Sequence, residues 1–134
     1  MADITMPTTA VPGTGAYAIN GIANGTLAQG QVVYKNTSKK YALGLASAAA
    51  TSDIAGVVIC SATANGQIRV QSKGRITGLT GLTQGTVYYL SDTVAGAICL
   101  AADLVSTSQV VVVGFAVSAT ELELLIKYTG VAVP

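Results

Sequence analysis

An eight-residue phrase occurs twice in this chain and limits what the chain can fold into. Leu27–Tyr34 reads LAQGQVVY, and Leu82–Tyr89, 55 positions later, reads LTQGTVYY. Each copy begins with a glutamine-glycine turn and continues into β-branched and aromatic residues, which is typical of a strand. In the second copy the side chains of Val87 and Tyr89 point to one face of the strand, and those of Tyr88 and Leu90 point to the other. Because both faces are apolar, we expect both to be covered. The sequence therefore predicts two related β units.

The match continues beyond this phrase. Ile54–Gly56 aligns with Val112–Gly114 at an offset of 58 positions, and the tripeptide Ser-Ala-Thr occurs at Ser61–Thr63 and at Ser118–Thr120, an offset of 57. A β-bulge in one copy accounts for the difference, because a bulge adds one residue to one strand. We therefore interpret the chain as an internal duplication.

Short apolar runs bounded by turn residues predict strands along most of the chain. We expect strands at 16–23 (interrupted at Asn20-Gly21), 31–35, 40–43, 54–60, 67–72, 75–77, 109–117 and 121–127, and a hairpin over 88–100. Lys73-Gly74 is expected to form a turn or bulge, and only 45–52 and 101–106 suit even one or two helical turns. The sequence predicts an all-β fold, a small barrel or sandwich (β-clip-like) of two related hairpin units.

The chain length of 134 residues is enough for one domain with a buried core. We expect an extended N-terminal arm at 1–14 and a single β domain at 15–134, with pseudo-repeats at about 25–77 and 80–131. Prolines in the arm exclude a helix and disfavour a central strand. Its apolar side chains follow no consistent period, which suits a segment that contacts a partner. The candidate binding residues are Ile4, Met6, Pro7, Val11 and Pro12.

Charge and hydropathy exclude several classes of function. Only 10% of the residues are charged, against about 25% in a typical soluble domain. The net charge is +1 and Lys39-Lys40 is the only adjacent basic pair, so binding of nucleic acid through phosphate neutralisation is not expected. The apolar run Val110–Val117 is far shorter than the roughly 20 residues of a membrane-spanning helix, and we interpret it as a buried strand. The low charge predicts that much of the surface is buried in an assembly or covered by uncharged polar residues.

Residues that would support catalysis are sparse, and we do not expect an enzyme, a cofactor or a metal site. The chain has no histidine, the commonest general base and a common metal ligand. The two cysteines, Cys60 and Cys99, lie in apolar runs and are interpreted as buried free thiols. Of the acidic residues only Glu121 and Glu123 are paired by spacing, and we interpret all of them as surface charges. The glycine-rich stretches lack the phosphate-binding patterns and are interpreted as turns.

The tyrosines give one alternative function. Aromatic rings stack on the apolar faces of sugars, so exposed tyrosines would suit a tail or fibre module that binds host carbohydrate. The alternative interpretation is cross-strand packing with the hydroxyl groups at the rim. The residues concerned are Tyr34, Tyr41, Tyr88, Tyr89 and Tyr128.

Several segments together are similar to a known family. They are the strand Val32–Tyr34 after a glycine turn, the polar turn Asn36–Lys39, the returning strand Lys40–Leu43, Ala55–Ile59, Ser72–Ile76, and in the second unit Thr86–Thr93 and Val110–Thr120. In this pattern the chain, from about Gly25 to Val131, resembles the tailed-bacteriophage head decoration (cement) proteins, a family of small β-rich capsid-stabilising proteins.

The resemblance implies a structural virion protein without cofactor or catalytic residues. Its partner would be the major capsid protein of a phage head, contacted in part by the N-terminal arm. The protein would be made in the bacterial cytoplasm and located on the outer capsid surface. Many members of the family are trimers, so a homo-oligomer is expected, with a trimer favoured over a dimer. The two units within this chain depart from the family pattern, so its oligomeric state need not be the usual trimer.

Overall fold

The computed structural model describes residues 10–48, 51–104 and 108–132. The fold of these residues is all-β, as the sequence predicts. The strands, in chain order, are β1 (Val11–Pro12), β2 (Tyr17–Ile22), β3 (Val32–Lys35), β4 (Tyr41–Leu43), β5 (Ile54–Cys60), β6 (Gln67–Thr77), β7 (Val87–Leu90), β8 (Ile98–Cys99), β9 (Gln109–Ala116) and β10 (Leu122–Ala132). A 3-10 turn at Ala101–Asp103 lies between β8 and β9. No helix among the described residues is long and apolar enough to cross a membrane.

The strands form one curled, half-barrel sheet whose two halves share β6. The N-terminal half-sheet has the order β4-β3-β5-β6-β2, and the C-terminal half-sheet has the order β8-β7-β9-β10-β6-β1. All of these strand pairs are antiparallel. The first part of β6, up to Lys73, pairs with β5 and β2, and the last part, from Gly74, pairs with β10 and β1.

The transition within β6 depends on two residues. Gly74 has a φ of +85°, which a residue with a side chain rarely adopts, and a Cβ atom there would lie 2.3 Å from the backbone of Gly15. The side chain of Gln71 is fully buried, and its Nε2 donates hydrogen bonds to the carbonyl oxygens of Lys73 (3.0 Å) and Arg75 (2.8 Å). These bonds satisfy carbonyl groups on both sides of the irregularity, so that β6 continues from one half-sheet into the other.

Two hydrophobic cores stabilise the fold. The main core contains residues of both half-sheets, among them Val57 and Ile76 on β5 and β6 and Tyr88 and Leu122 on β7 and β10. The second core covers the opposite face of the N-terminal half-sheet, where Val58, Ile68 and Val70 pack against residues such as Leu27 from the segment between β2 and β3. The central strands of the N-terminal half-sheet are therefore covered on both faces.

The two units have the same pairing registers. In each unit, three residues of the first strand pair with three of the buried strand, and the register shifts between the second pair and the third. The pairs are Val32–Val57, Val33–Gly56 and Tyr34–Ile54 in the first unit, and Val87–Phe115, Tyr88–Gly114 and Tyr89–Val112 in the second. Each second-unit pair lies at the offsets of 55 and 58 positions found in the sequence. These equivalent pairings support an internal duplication.

The sequence offset falls from 58 to 57 at a place where the structure has an irregularity. In the pairing of β5 with β6, Val58 lies opposite Val70, but Cys60 lies opposite Arg69, so that Ile59 is one residue too many. This is the position of the expected bulge, between Gly56 and the Ser-Ala-Thr tripeptide.

The predicted β3–β4 and β7–β8 hairpins are confirmed, as are the strands at 54–60 and 109–117 to within one residue. The predicted interruption at Asn20-Gly21 is wrong, because β2 pairs with β6 throughout, with Gly21 opposite Ile68. Gly21 is needed there for space, since a Cβ atom would lie 2.2 Å from the ring of Tyr41. The strand β10 extends further than the predicted 121–127.

Three other expectations need correction. The fold includes residues before 15, because Ala10 is buried in the main core and Val11–Pro12 forms β1. Cys60 is exposed, whereas Cys99 is buried as expected, and the two cysteines are not joined by a disulfide. The expected cover on both faces of β7 is also incomplete, because Val87 is 41% exposed.

Candidate binding surface

The structure describes only part of the predicted binding arm. Ile4, Met6 and Pro7 lie outside the described residues. Val11 and Pro12 form β1, where they lie opposite Thr77 and Ile76 at the end of β6. Both side chains are exposed. The predicted contact residues 11 and 12 are thus the first residues of an edge strand.

The strand β2 continues this edge along β6. Gly13 donates a backbone hydrogen bond to the carbonyl oxygen of Arg75 (2.8 Å), and Arg75 donates one to that of Thr14 (3.0 Å), so the chain stays on β6 between β1 and β2. Along its length β2 pairs with β6, and directly after β2 the chain meets β4, where Ala23 forms an isolated parallel bridge with Tyr41 and Asn24 donates a backbone hydrogen bond to the carbonyl oxygen of Tyr41 (2.8 Å). Before Ile22, the other edge of β2 has no strand partner among the described residues, and its backbone donors and acceptors are available for another strand to extend the sheet.

Exposed apolar side chains flank this open edge. Where the structure describes side chains, eight large hydrophobic residues are exposed, and four of them belong to β1 and β2, namely Val11, Tyr17, Ile19 and Ile22. Ile19 lies opposite Val70 of β6, and Ile22 lies opposite Gln67 three positions away, so the two extend on different faces of the edge. We call the open edge of β1 and β2, with these four side chains, the N-terminal edge.

The charges beside the N-terminal edge are positive. Tyr17 lies opposite Lys73 and Asn20 lies opposite Arg69, and both basic side chains are exposed. Among the described residues the one salt bridge joins Arg75 to Glu123, with 3.2 Å between Nε and Oε1. The edge therefore combines apolar side chains with two cationic groups, which suits a partner strand with apolar and acidic residues.

Sequence reasoning missed most of the N-terminal edge. Tyr17, Ile19 and Ile22 were assigned to a strand but not to a binding surface. The available signal was the run from Ala16 to Ala23, where large apolar residues alternate with alanine, asparagine and glycine. That pattern gives no indication of which residues remain exposed.

The tyrosines do not form a single exposed group. Tyr41 is buried in the second core, and Tyr88 is buried in the main core, where its hydroxyl oxygen accepts a hydrogen bond from the backbone of Thr83 (3.0 Å). Tyr34 and Tyr89 are half-buried at equivalent positions of the two units. Tyr128 is exposed. Of the two interpretations of the tyrosines, packing within the fold therefore holds for Tyr41 and Tyr88.

The acidic residues include one exception to the expected surface charges. Asp92 is buried and its Oδ2 accepts a hydrogen bond from the hydroxyl group of Ser108 (2.5 Å), which is buried with it. This pair joins the turn after β7 to the start of β9. Glu121 and Glu123 are half-buried, and Glu123 takes part in the salt bridge described above.

The part of the chain that the structure describes contains no group of three or more potential metal-ligating side chains and no pocket.

Comparison of the chain with protein-family models gives no match. Comparison with curated proteins gives no match either.

Proposed function

We propose that this chain is a head decoration (cement) protein, a structural virion protein that binds the outer surface of a phage capsid and stabilises it. The observation that carries the proposal is the N-terminal edge, where β1 and β2 present four exposed apolar side chains. The family resemblance of the sequence and its low charged fraction of 10% support the same function.

The proposed contact is the addition of a capsid strand to β2. Main-chain hydrogen bonds supply affinity in this mode, and the flanking side chains supply specificity. Ile19 and Ile22 are 39% and 40% exposed, so covering what remains of each contributes about 1 kcal/mol. Lys73 and Arg69 would pair with acidic groups of the major capsid protein. Many weak contacts of this kind over a lattice add up through multivalency.

The remaining elements of the proposal concern assembly and location. The protein would act as a homo-oligomer on the virion surface after synthesis in the bacterial cytoplasm. Oligomerisation would increase the number of N-terminal edges that engage neighbouring capsid subunits at once.

Binding to undecorated capsids tests the proposal directly. Purified protein is incubated with capsids that lack a decoration protein, and bound protein is measured by co-sedimentation and located by electron microscopy. Ile19→Asp and Ile22→Asp should each weaken binding about tenfold or more, because an unpaired carboxylate would enter the contact. Val94→Asp is the matched control, since Val94 is 42% exposed and lies in the turn between β7 and β8. Binding that all three variants retain equally, or wild-type protein that leaves capsids bare, would overturn the proposal.

A further inference from the structure

The outer face of the C-terminal half-sheet is a second apolar surface, on the side away from the main core. It is formed by Val87 and Tyr89 of β7 and by Val112 and Phe115 of β9. Their neighbours along the strands, among them Tyr88 and Val113, point into the main core. Val87 is exposed and the other three are half-buried. We call these four residues the outer face.

The internal repeat shows what covers this surface in the other unit. The residues at equivalent positions of the first unit are Val32, Tyr34, Ile54 and Val57. Val32, Ile54 and Val57 lie in the main core, where the C-terminal half-sheet covers them. Val32 is 0% exposed and its equivalent Val87 is 41% exposed. The same surface is thus covered by a neighbouring sheet in the first unit and open in the second.

The other faces of the central strands are already covered. The second core covers the other face of the N-terminal half-sheet, and the main core covers the inner face of the C-terminal half-sheet. A second molecule of this protein offers a sheet face of matching chemistry, which is its own outer face.

Charges of both signs lie beside the outer face, with the exposed Lys127 of β10 opposite Val112 and an acid-base pair in the neighbouring row. In the row that contains Val87 and Phe115, the next residues across the sheet are Glu123 and Arg75, which form the salt bridge of 3.2 Å. Their side chains are 32% and 39% exposed and therefore open to further contacts. A copy of the same surface can be complementary because it carries charges of both signs, whereas a surface with one sign of charge would repel its own copy.

From these observations we infer that two copies of this protein associate through their outer faces about a two-fold axis. The contact is isologous, so each copy contributes the same four apolar residues and the same ion pair. It is separate from the N-terminal edge and does not depend on capsid binding.

Sedimentation of the free, full-length protein tests this inference. The wild type should show a dimer that dissociates on dilution. Val87→Asp should raise the dissociation constant at least about 100-fold, because the two-fold axis places the substitution in the contact twice. Val87→Lys should act in the same direction. Val94→Asp, with the same residue type and nearly the same exposure, should leave the dimer intact.

Circular dichroism verifies that each variant is folded, as expected for substitutions of exposed residues. A wild type that is monomeric at all concentrations would overturn the inference. So would a trimer, or a dimer that Val87→Asp and Val94→Asp affect equally. Capsid binding by Ile19→Asp is measured separately, so failure of the dimer and failure of the proposed function remain distinguishable.

Discussion

Gly56 and Gly114 occupy the same position in the two units and face the same obstacle. A Cβ atom on Gly56 would lie 2.2 Å from the carbonyl oxygen of Gln71, and one on Gly114 would lie 2.2 Å from that of Glu123. Both glycines lie at the register shift between the first strand of the unit and its buried strand. Each therefore permits the close approach of the third strand, β6 in one unit and β10 in the other.

Alanine substitutions test this requirement. Gly56→Ala and Gly114→Ala should each lower the free energy of unfolding by about 1–3 kcal/mol or more, because the backbone oxygen has to move. Gly25→Ala is the control, since a Cβ atom there meets nothing within 4 Å. Denaturant unfolding measures the three variants. A stability for Gly114→Ala equal to that of Gly25→Ala would contradict the close approach at β10.

The buried amide of Gln71 gives a second prediction. Gln71→Leu removes the two hydrogen bonds to the carbonyl oxygens of Lys73 and Arg75 and should destabilise the protein by about 2–4 kcal/mol. Gln67→Leu on the same strand is the control, because Gln67 is exposed. Thermal unfolding of both variants checks the prediction, and equal melting temperatures would show that the transition within β6 does not need these bonds.

The central strand β9 gives a third prediction. Val111 and Val113 are both fully buried in the main core, so Val111→Asp and Val113→Asp should both prevent folding. A buried unpaired carboxylate costs several kcal/mol, against a total stability of roughly 5–15 kcal/mol. Val87→Asp should remain folded because that side chain is on the outer face. Circular dichroism and soluble yield distinguish the outcomes, and a folded Val113→Asp would place β9 outside the core.

The N-terminal residues give a fourth prediction. Deletion of residues 2–12 removes Ala10 from the main core and removes β1, so it should lower the melting temperature relative to deletion of residues 2–9. The comparison isolates the contribution of Ala10–Pro12. Equal melting temperatures for the two truncated proteins would show that these three residues add no stability. Capsid binding by the protein lacking residues 2–9 then tests the arm itself.

The two thiols should react at very different rates. Cys60 is exposed and Cys99 is buried, so a thiol reagent added to native protein should modify one equivalent quickly and the second only on unfolding. Cys60→Ser should remove the fast phase, and Cys99→Ser should leave it. Fast modification of both thiols in native protein would contradict the burial of Cys99.

Local patterns were sufficient to predict most strands and the repeat. Alternation and turn residues identify strands such as β5 and β9, and the offsets of 55 and 58 positions anticipate the pairing of Gly56 and of Gly114. A strand and a repeat can be recognised because they are determined by residues that are close in sequence or that belong to the same hairpin. The place of the bulge near Ile59 follows from the same comparison of the two copies.

The surfaces were less accessible to such reasoning, because exposure depends on what lies across the sheet. Nothing near Val87 in the sequence indicates that its face is open, while the equivalent Val32 is covered by another half-sheet. The edge position of β2 depends on its pairing with β6, about 50 residues further along the chain. Of the predicted binding residues, Val11 and Pro12 belong to the candidate surface, and the larger part of that surface comes from β2.

The sharing of β6 between the two half-sheets also bears on how such a chain could arise. The last part of β6 supplies the edge against which β10 of the second unit pairs. An ancestor with a single unit would have had no second unit in its own chain to use that strand segment. That segment would have been an open edge, available for pairing with another molecule in the manner of strand exchange between protomers. Gene duplication would then have turned a contact between two chains into a contact within one.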